Sequence, residues 1–125
     1  MKRVLTAIMI ICFCHAAKAQ LANTTWTGSI MAGGNNLNIL WHLASDTSFF
    51  YNNDDNSLLD VSVFKVQDST LSLRKVSGLS NCGEEEGVYK FVIKDNTLNL
   101  YLAKDDCSDR SDALDKSVLT RKEEK

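Results

Sequence analysis

The sequence predicts an all-β domain folded as a single eight-stranded antiparallel up-and-down barrel. The 125 residues contain no proline, and no stretch shows sustained helical periodicity. Short segments alternate between apolar and polar side chains, and Gly, Asn, Asp or Ser bound each of them, which is typical of strands and turns. Alternation with one polar face indicates antiparallel strands that cover one interior.

Residues 1–19 are predicted to be a secretory signal peptide. Lys2 and Arg3 give a positive start, and the uncharged stretch 4–14 is too short to span a bilayer. Residues 17–19 supply the small side chains that a signal peptidase recognises, and no small-residue box precedes a cysteine as a lipid anchor requires. We therefore expect a secreted or periplasmic protein with no integral membrane segment in the mature chain.

Residues 20–125 are predicted to form one β-barrel domain with an acidic balance. Without Lys2, Arg3 and Lys18, 11 of the 14 basic residues remain against all 16 acidic ones, for a net charge of −5. Nucleic acid and anionic membranes require a basic surface. The charge therefore argues against a nucleic-acid partner.

The cysteine content predicts one disulfide, between Cys82 and Cys107, which are the cysteines left after the signal peptide. These two thiols and His42 do not make a convincing zinc site, so no metal and no cofactor are expected. Acidic residues in 54–56 and 105–112 could collect calcium, but neither segment has the spaced pattern of a dedicated loop. Solvated, turn-forming acids are the default interpretation, with calcium as the alternative.

Eight strands are expected from the alternation, each with one apolar face. In the second strand Trp41 opposes His42, in the sixth Phe91 opposes Lys90, and the seventh alternates in the same way. The expected strands span about 24–31, 36–44, 47–52, 58–66, 70–76, 87–94, 97–104 and 116–122.

The connections between these strands predict the two ends of the barrel. Asp-containing or Asn-containing pairs follow the second, fourth and sixth strands and predict tight hairpin turns. Longer connections are expected after the others, at 32–35, 53–57, 77–86 and 105–115, with a short helical turn in the last. All long loops then share one end, and both cysteines of the predicted disulfide fall there.

Bulky side chains are predicted to fill much of the interior. An eight-stranded barrel is just wide enough to be filled by side chains or to hold one small ligand, and both alternatives stay open. The predicted ligand-binding residues are Trp41, Tyr51, Tyr89, Phe91 and Leu100. The other predicted inward residues are Trp26, Ile30, Leu37, Ile39, Leu43, Val61, Val63, Leu71, Leu73, Ile93, Leu98 and Leu102.

Both ends of the domain resemble the lipocalins and related calycin barrels. Residues 21–28 are similar to the early tryptophan block of bacterial lipocalin-like domains, and the last strand ends in Leu119-Thr120-Arg121. The resemblance implies that Trp26 packs against Arg121 to close the barrel floor, and that the long loops surround a pocket for a small apolar molecule. Residues 87–114 look like a recurrent ending of small secreted bacterial barrels, in which Arg110 either pairs with loop aspartates or reaches over the mouth.

The predicted function is non-catalytic binding or sequestration of a small hydrophobic molecule in the interior. No catalytic residues are predicted, because His42 lies on the polar phase of its strand without a spaced nucleophile and acid. The alternative is a packed barrel whose long loops, at 77–86 and 105–115, bind another protein as an inhibitor or cell-envelope component.

Overall fold

The computed structural model describes residues 20–123 and shows a closed barrel of eight antiparallel strands, each paired with its neighbours in sequence order. The predicted fold class is confirmed, and each predicted strand boundary lies within two residues of the observed one. The predicted signal peptide lies outside the described residues. The elements are β1 (Thr24–Ala32), β2 (Asn35–Leu43), β3 (Thr47–Asn52), β4 (Leu58–Gln67), β5 (Thr70–Gly78), β6 (Glu86–Lys94), β7 (Thr97–Lys104), α1 (Ser108–Leu114) and β8 (Val118–Lys122).

The alternating sequence of each strand produces one buried face. In β2, Ile39, Trp41 and Leu43 are buried, whereas Asn36 and Asn38 are exposed. Burying a side chain of this size contributes about 1.5–3 kcal/mol relative to leaving it in water. The same parity in β5, β6 and β7 makes one interior the favourable arrangement.

The turns at the two ends are formed by residues that tolerate a left-handed backbone. Asp68 has a φ of 55°, and Asp95 and Asn96 have φ values of 52° and 65°, which accounts for their tight hairpins. Gly33 and Gly34 also have positive φ, at 59° and 83°. The prediction of a long connection between β1 and β2 is therefore wrong, because these glycines make a two-residue turn. The remaining long connections share the end where this turn lies, which we call the loop end.

Pairing between β1 and β8 closes the barrel. Trp26 lies opposite Arg121 in this pairing. Trp26 is fully buried, and its Nε1 donates to Thr24 Oγ1 at 2.8 Å. Arg121 is exposed, and within residues 20–123 no cation–π contact joins it to the Trp26 ring. The floor is thus closed by strand pairing and the buried indole, and not by the guanidinium stacking that the resemblance implies.

A close approach between strands occurs at Gly28 in the same seam. A Cβ at this position would lie 2.5 Å from Leu119 Cδ2 and 3.1 Å from the Val118 carbonyl oxygen. Glycine therefore allows the side chain of Leu119, which is fully buried, to cross over β1.

At the C-terminal end of β3, the side chains that point into the barrel are not the ones that the sequence predicts. Ser48 and Phe50 are buried, and the rings of Phe49 and Tyr51 stack on the outer face with centroids 6.4 Å apart. The inward orientation predicted for Tyr51 is therefore wrong. Three consecutive aromatic residues carry no alternation, so the phase of this strand had no signal in the sequence.

Strand β4 shows the same difference. Ser62 and Phe64 are buried, and Val61 and Val63, which were predicted to point inward, are only partly buried. The pairing shifts register at Phe50/Tyr51 on one side and at Val61/Ser62 on the other. Such bulges change which face a residue occupies.

The core occupies the barrel from its floor to its middle. Trp41 stacks on Phe50 with ring centroids 4.7 Å apart, and its Nε1 donates to Ser48 Oγ. This inner polar pair satisfies an indole donor that would otherwise be unpaired in the core. The buried apolar cluster contains Leu21, Trp26, Ile39, Trp41, Leu43, Phe50, Phe64, Leu71, Leu73, Tyr89, Phe91, Leu98, Leu100, Leu114 and Leu119.

We predict that Gly28→Ala destabilises the barrel by about 1–3 kcal/mol, because the added methyl overpacks the seam between β1 and β8. The free energy of unfolding measured in urea checks this. Ser29→Ala, on the exposed neighbouring position, is the control and should change stability by less than about 0.5 kcal/mol. Equal stability of the two variants would contradict a steric constraint at Gly28.

Candidate functional site

A cavity of about 270 Å³ lies at the loop end of the barrel. This volume is close to the lower limit of small-molecule sites, about 300 Å³. Its wall is mainly apolar, with a few polar groups. The lining residues are Ile30, Ala32, Gly33, Leu37, Ile39, Phe50, Leu59, Asp60, Ser62, Leu79, Ser80, Asp109, Arg110, Ala113 and Leu114.

The cavity lies between α1 and the first four strands because the other half of the barrel is filled. Helix α1 packs against β1 and β7 and buries Leu114. Tyr89 and Leu100, on β6 and β7, are fully buried. The interior is therefore filled by side chains towards the tight turns and open towards the loop end. Neither a completely filled barrel nor a completely hollow one describes it.

The five residues predicted to bind ligand do not line this cavity. Trp41, Tyr89, Phe91 and Leu100 belong to the packed core, and Tyr51 is on the outer face. Strand alternation indicates which residues point inward, but it does not indicate at what height the packing ends. The missed lining residues lie at strand ends beside the loops and on α1.

An ion pair between Arg110 and Asp105 forms the polar part of this end. The two side chains are 8% and 0% exposed, and Arg110 Nε lies 2.6 Å from Asp105 Oδ2. Arg110 Nη2 donates to Asp105 Oδ1 at 2.8 Å and to the Glu85 carbonyl oxygen at 3.0 Å. Two parallel hydrogen bonds to one carboxylate fix the guanidinium in position. Arg110 does pair with a loop aspartate, but the pair is buried.

Asp105 also connects β6 to the start of α1. Its carboxylate accepts a hydrogen bond from the Tyr89 hydroxyl and another from the Cys107 backbone N–H at 2.9 Å. Gly87 leaves the space for this cluster, since a Cβ there would lie 2.6 Å from Arg110 Nε. The buried carboxylate is thereby held by three residues.

These contacts shift the pKa values of the cluster. Burial opposes ionisation of Asp105, but hydrogen bonds from Arg110, Tyr89 and Cys107 outweigh it and lower the pKa of its carboxyl. Burial and the hydrogen bond to Asp105 raise the pKa of Tyr89. Asp105 is therefore the charged partner of Arg110, and Tyr89 stays a neutral donor.

One donor of the cluster has no partner. Among the buried side-chain nitrogen and oxygen atoms of residues 20–123, Arg110 Nη1 alone lacks a hydrogen bond. Leaving such a donor unsatisfied costs about 1–3 kcal/mol, and more when the group is charged. The side chain that carries this donor is part of the cavity wall.

The predicted disulfide between Cys82 and Cys107 is present. It joins the loop 79–85 to the residue that precedes α1. The Glu85 carboxylate lies close to both sulfurs, and in the described chain this is the one group of three potential metal-ligating side chains that come together. The sulfurs of Cys82 and Cys107 are bonded to each other, so they are not available as thiolate ligands.

His42 lies on the outer face of the barrel, away from the cavity wall. Its Nδ1 is 2.9 Å from Thr25 Oγ1, and its ring stacks on Phe49 with centroids 6.3 Å apart. The histidine and the polar groups of the cavity are therefore on opposite sides of the sheet.

Comparisons of the chain with protein-family models, curated proteins and solved structures found no match in any of the three. The closed eight-stranded antiparallel barrel is consistent with a calycin-like fold. Within residues 20–123, no helix has the length and apolarity needed to cross a membrane.

We predict that stability falls in acid because of Asp105. Its pKa is lower in the folded than in the unfolded chain, so its contribution is present above the unfolded value of about 3.9 and is lost as the pH falls below it. Unfolding free energies measured between neutral and strongly acidic pH check this. Asp105→Asn should reduce the acid-dependent loss, whereas Asp106→Asn, at the exposed neighbouring residue, should not. An unchanged pH profile in Asp105→Asn would contradict the assignment.

Replacing the disulfide by Cys82→Ala/Cys107→Ala is expected to destabilise the protein by about 3.5 kcal/mol, because the 25-residue separation no longer restricts the unfolded chain. Unfolding in urea under non-reducing conditions measures the difference. Reducing agent should then destabilise the parent protein and leave the double variant unchanged. A double variant as stable as the parent would show that the crosslink contributes little.

Proposed function

We propose that this chain is an exported, lipocalin-like carrier that binds or sequesters a small apolar molecule without catalysis. The observation that carries the proposal is the cavity at the loop end, with its apolar wall and few polar groups. Sites for small molecules have this composition, because apolar area supplies affinity and isolated polar groups supply orientation.

The apolar wall supports hydrophobic binding. Ile39 and Phe50 come from the packed core below, and Leu37, Leu59 and Leu114 continue the same surface upward. Covering apolar surface stabilises by about 25 cal/mol per Å² removed from water. A ligand that fills the cavity completes a core that the side chains leave open.

The loop over the cavity is ordered by contacts of its own. Ser80 donates to Asp60 through its backbone N–H at 3.0 Å and through its hydroxyl, and Lys75 donates to the Ser80 carbonyl oxygen. These bonds fix Ser80 on the ends of β4 and β5. The cavity therefore has a preformed wall, which reduces the entropic cost of binding.

The polar groups at the cavity favour binding over catalysis. They are Asp60, Ser62, Ser80, Asp109 and Arg110, and no histidine, cysteine or lysine is among them. Nucleophilic catalysis needs a base that accepts the proton of the nucleophile and is oriented by a third group. The Ser80 hydroxyl donates to the Asp60 carboxylate, which also accepts the Ser80 backbone N–H, so this contact orders the loop.

Export is part of the proposal. A disulfide between loops fits an extracellular or periplasmic location, where thiols are oxidised. The sequence of residues 1–19 agrees with a signal peptide, although these residues are outside the described structure.

Toluene, an apolar probe small enough for the cavity, tests the proposed function. We expect saturable shifts of the Leu37 and Ile39 methyl resonances in NMR titrations. Ala113→Phe, which places a ring in the cavity wall, should weaken binding by at least about tenfold. Ala103→Phe carries the same change at an exposed position outside the cavity and should bind like the parent. Absence of saturable shifts in the parent, or equal binding by both variants, would oppose the proposal.

Exposed apolar side chains at the loop end favour the second candidate function, binding of another protein. Leu79 is 77% exposed, and others lie on neighbouring strand ends; they are Met31, Leu58, Val76 and Leu102. A partner that covers this rim would be released by Leu58→Ser/Val76→Ser, at two exposed residues outside the cavity wall, while toluene binding in the cavity would persist.

A further inference from the structure

We propose that the ligand of the cavity carries a neutral oxygen acceptor, such as the carbonyl of a ketone, ester or lactone, and that Arg110 Nη1 donates to it. This inference rests on the proposed function and specifies the chemistry of the ligand. The observation behind it is a charged donor that is buried, has no partner and belongs to a side chain of the cavity wall.

The protein uses only part of the Arg110 guanidinium. This group has five N–H donors in a fixed plane. The Nε–H bonds Asp105, and Nη2 bonds Asp105 and the Glu85 carbonyl oxygen. The donors of Nη1 remain, and the bidentate pair prevents the guanidinium from turning to use them elsewhere. A ligand oxygen at Nη1 would complete the set.

The surrounding charges favour a neutral acceptor over an anion. The Asp105 carboxylate already neutralises Arg110. Two further carboxylates, those of Asp60 and Asp109, belong to the cavity wall and accept hydrogen bonds from Ser80 and Asn81 without a countercharge in these contacts. An added carboxylate would meet their repulsion together with its own desolvation cost. A carbonyl oxygen accepts the same hydrogen bond without either penalty.

The geometry also sets the orientation of the ligand. Arg110 is on α1, at one side of the cavity, and the apolar surface of Leu37, Ile39 and Phe50 is formed by the strands. The oxygen therefore lies towards α1, and the hydrocarbon part lies against β2 and β3.

Three probes with the same number of heavy atoms separate the contributions of a neutral oxygen acceptor, of the hydrocarbon alone and of a negative charge. They are methyl octyl ketone, undecane and nonanoate. We expect the ketone to bind about tenfold or more tightly than either of the others, since a hydrogen bond to a charged donor has that magnitude. Affinities are measured by the change in tryptophan emission, to which Trp41 contributes because its ring stacks on Phe50 of the cavity wall. The infrared C=O stretch of the bound ketone should fall below its value in hexane.

Variants at Arg110 test whether this residue is the donor. Arg110→Met should abolish the preference for the ketone over undecane and return the C=O stretch to its value in hexane. Because this variant leaves Asp105 buried without its partner, Asp105→Asn/Arg110→Leu serves as a second variant, in which the new amide still accepts from Tyr89. Arg74→Met, at an exposed arginine outside the cavity, is the matched control and should retain the preference.

The outcomes distinguish this inference from the proposed function. Undecane binding as tightly as the ketone, or an unshifted C=O stretch, overturns the neutral-acceptor inference and leaves the apolar cavity as the proposed site. Tightest binding of nonanoate overturns it in favour of an anion site. Failure of toluene and all three probes to bind overturns both proposals. Loss of ketone preference in both Arg110 variants, with retention in Arg74→Met, supports the inference.

Discussion

The Asp105 carboxylate holds the loop end of the barrel in one arrangement. It accepts hydrogen bonds from Tyr89 on β6, from Arg110 on α1 and from the backbone at Cys107. Through Arg110 the same network reaches the carbonyl of Glu85 in the preceding loop. A buried charge pair is costly to form, but once formed it tolerates few alternatives, because each remaining contact must be satisfied. The position of α1, and hence the shape of the cavity, depends on this carboxylate.

The barrel thereby divides into a packed floor and a hollow upper part. Below, Trp26 and Leu119 fill the seam that Gly28 allows to close. Above, α1 covers the half of the mouth beside β1 and β7, and the space against β2, β3 and β4 stays open. Stability and binding can therefore reside in different layers of one small domain. This separation is consistent with a carrier, because the binding layer can vary without loss of the fold.

The architecture was predictable from the sequence because period-two alternation and turn residues are local signals. The orientation of Tyr51 was not predictable, since neighbouring aromatic residues and a bulge remove the alternation that defines phase. The burial of Arg110 also had no sequence signal, because it depends on Asp105 and Glu85 meeting from separate loops. An interior cavity was one of two alternatives that the sequence left open, and the five residues predicted to bind ligand are not among those that line the cavity. Its position depends on how far the core packing extends, which is a property of the whole barrel.

The crosslink between Cys82 and Cys107 has a consequence for how molecules exchange with the interior. It couples the loop 79–85 to the start of α1, so these two parts of the rim move together. The turn at Gly33 and Gly34 lies outside this crosslinked part of the rim, and a Cβ at either glycine would meet no neighbouring atom within 4 Å. A turn without close neighbours is displaced with little loss of packing, so for the proposed carrier it is the expected route by which a ligand enters and leaves the cavity.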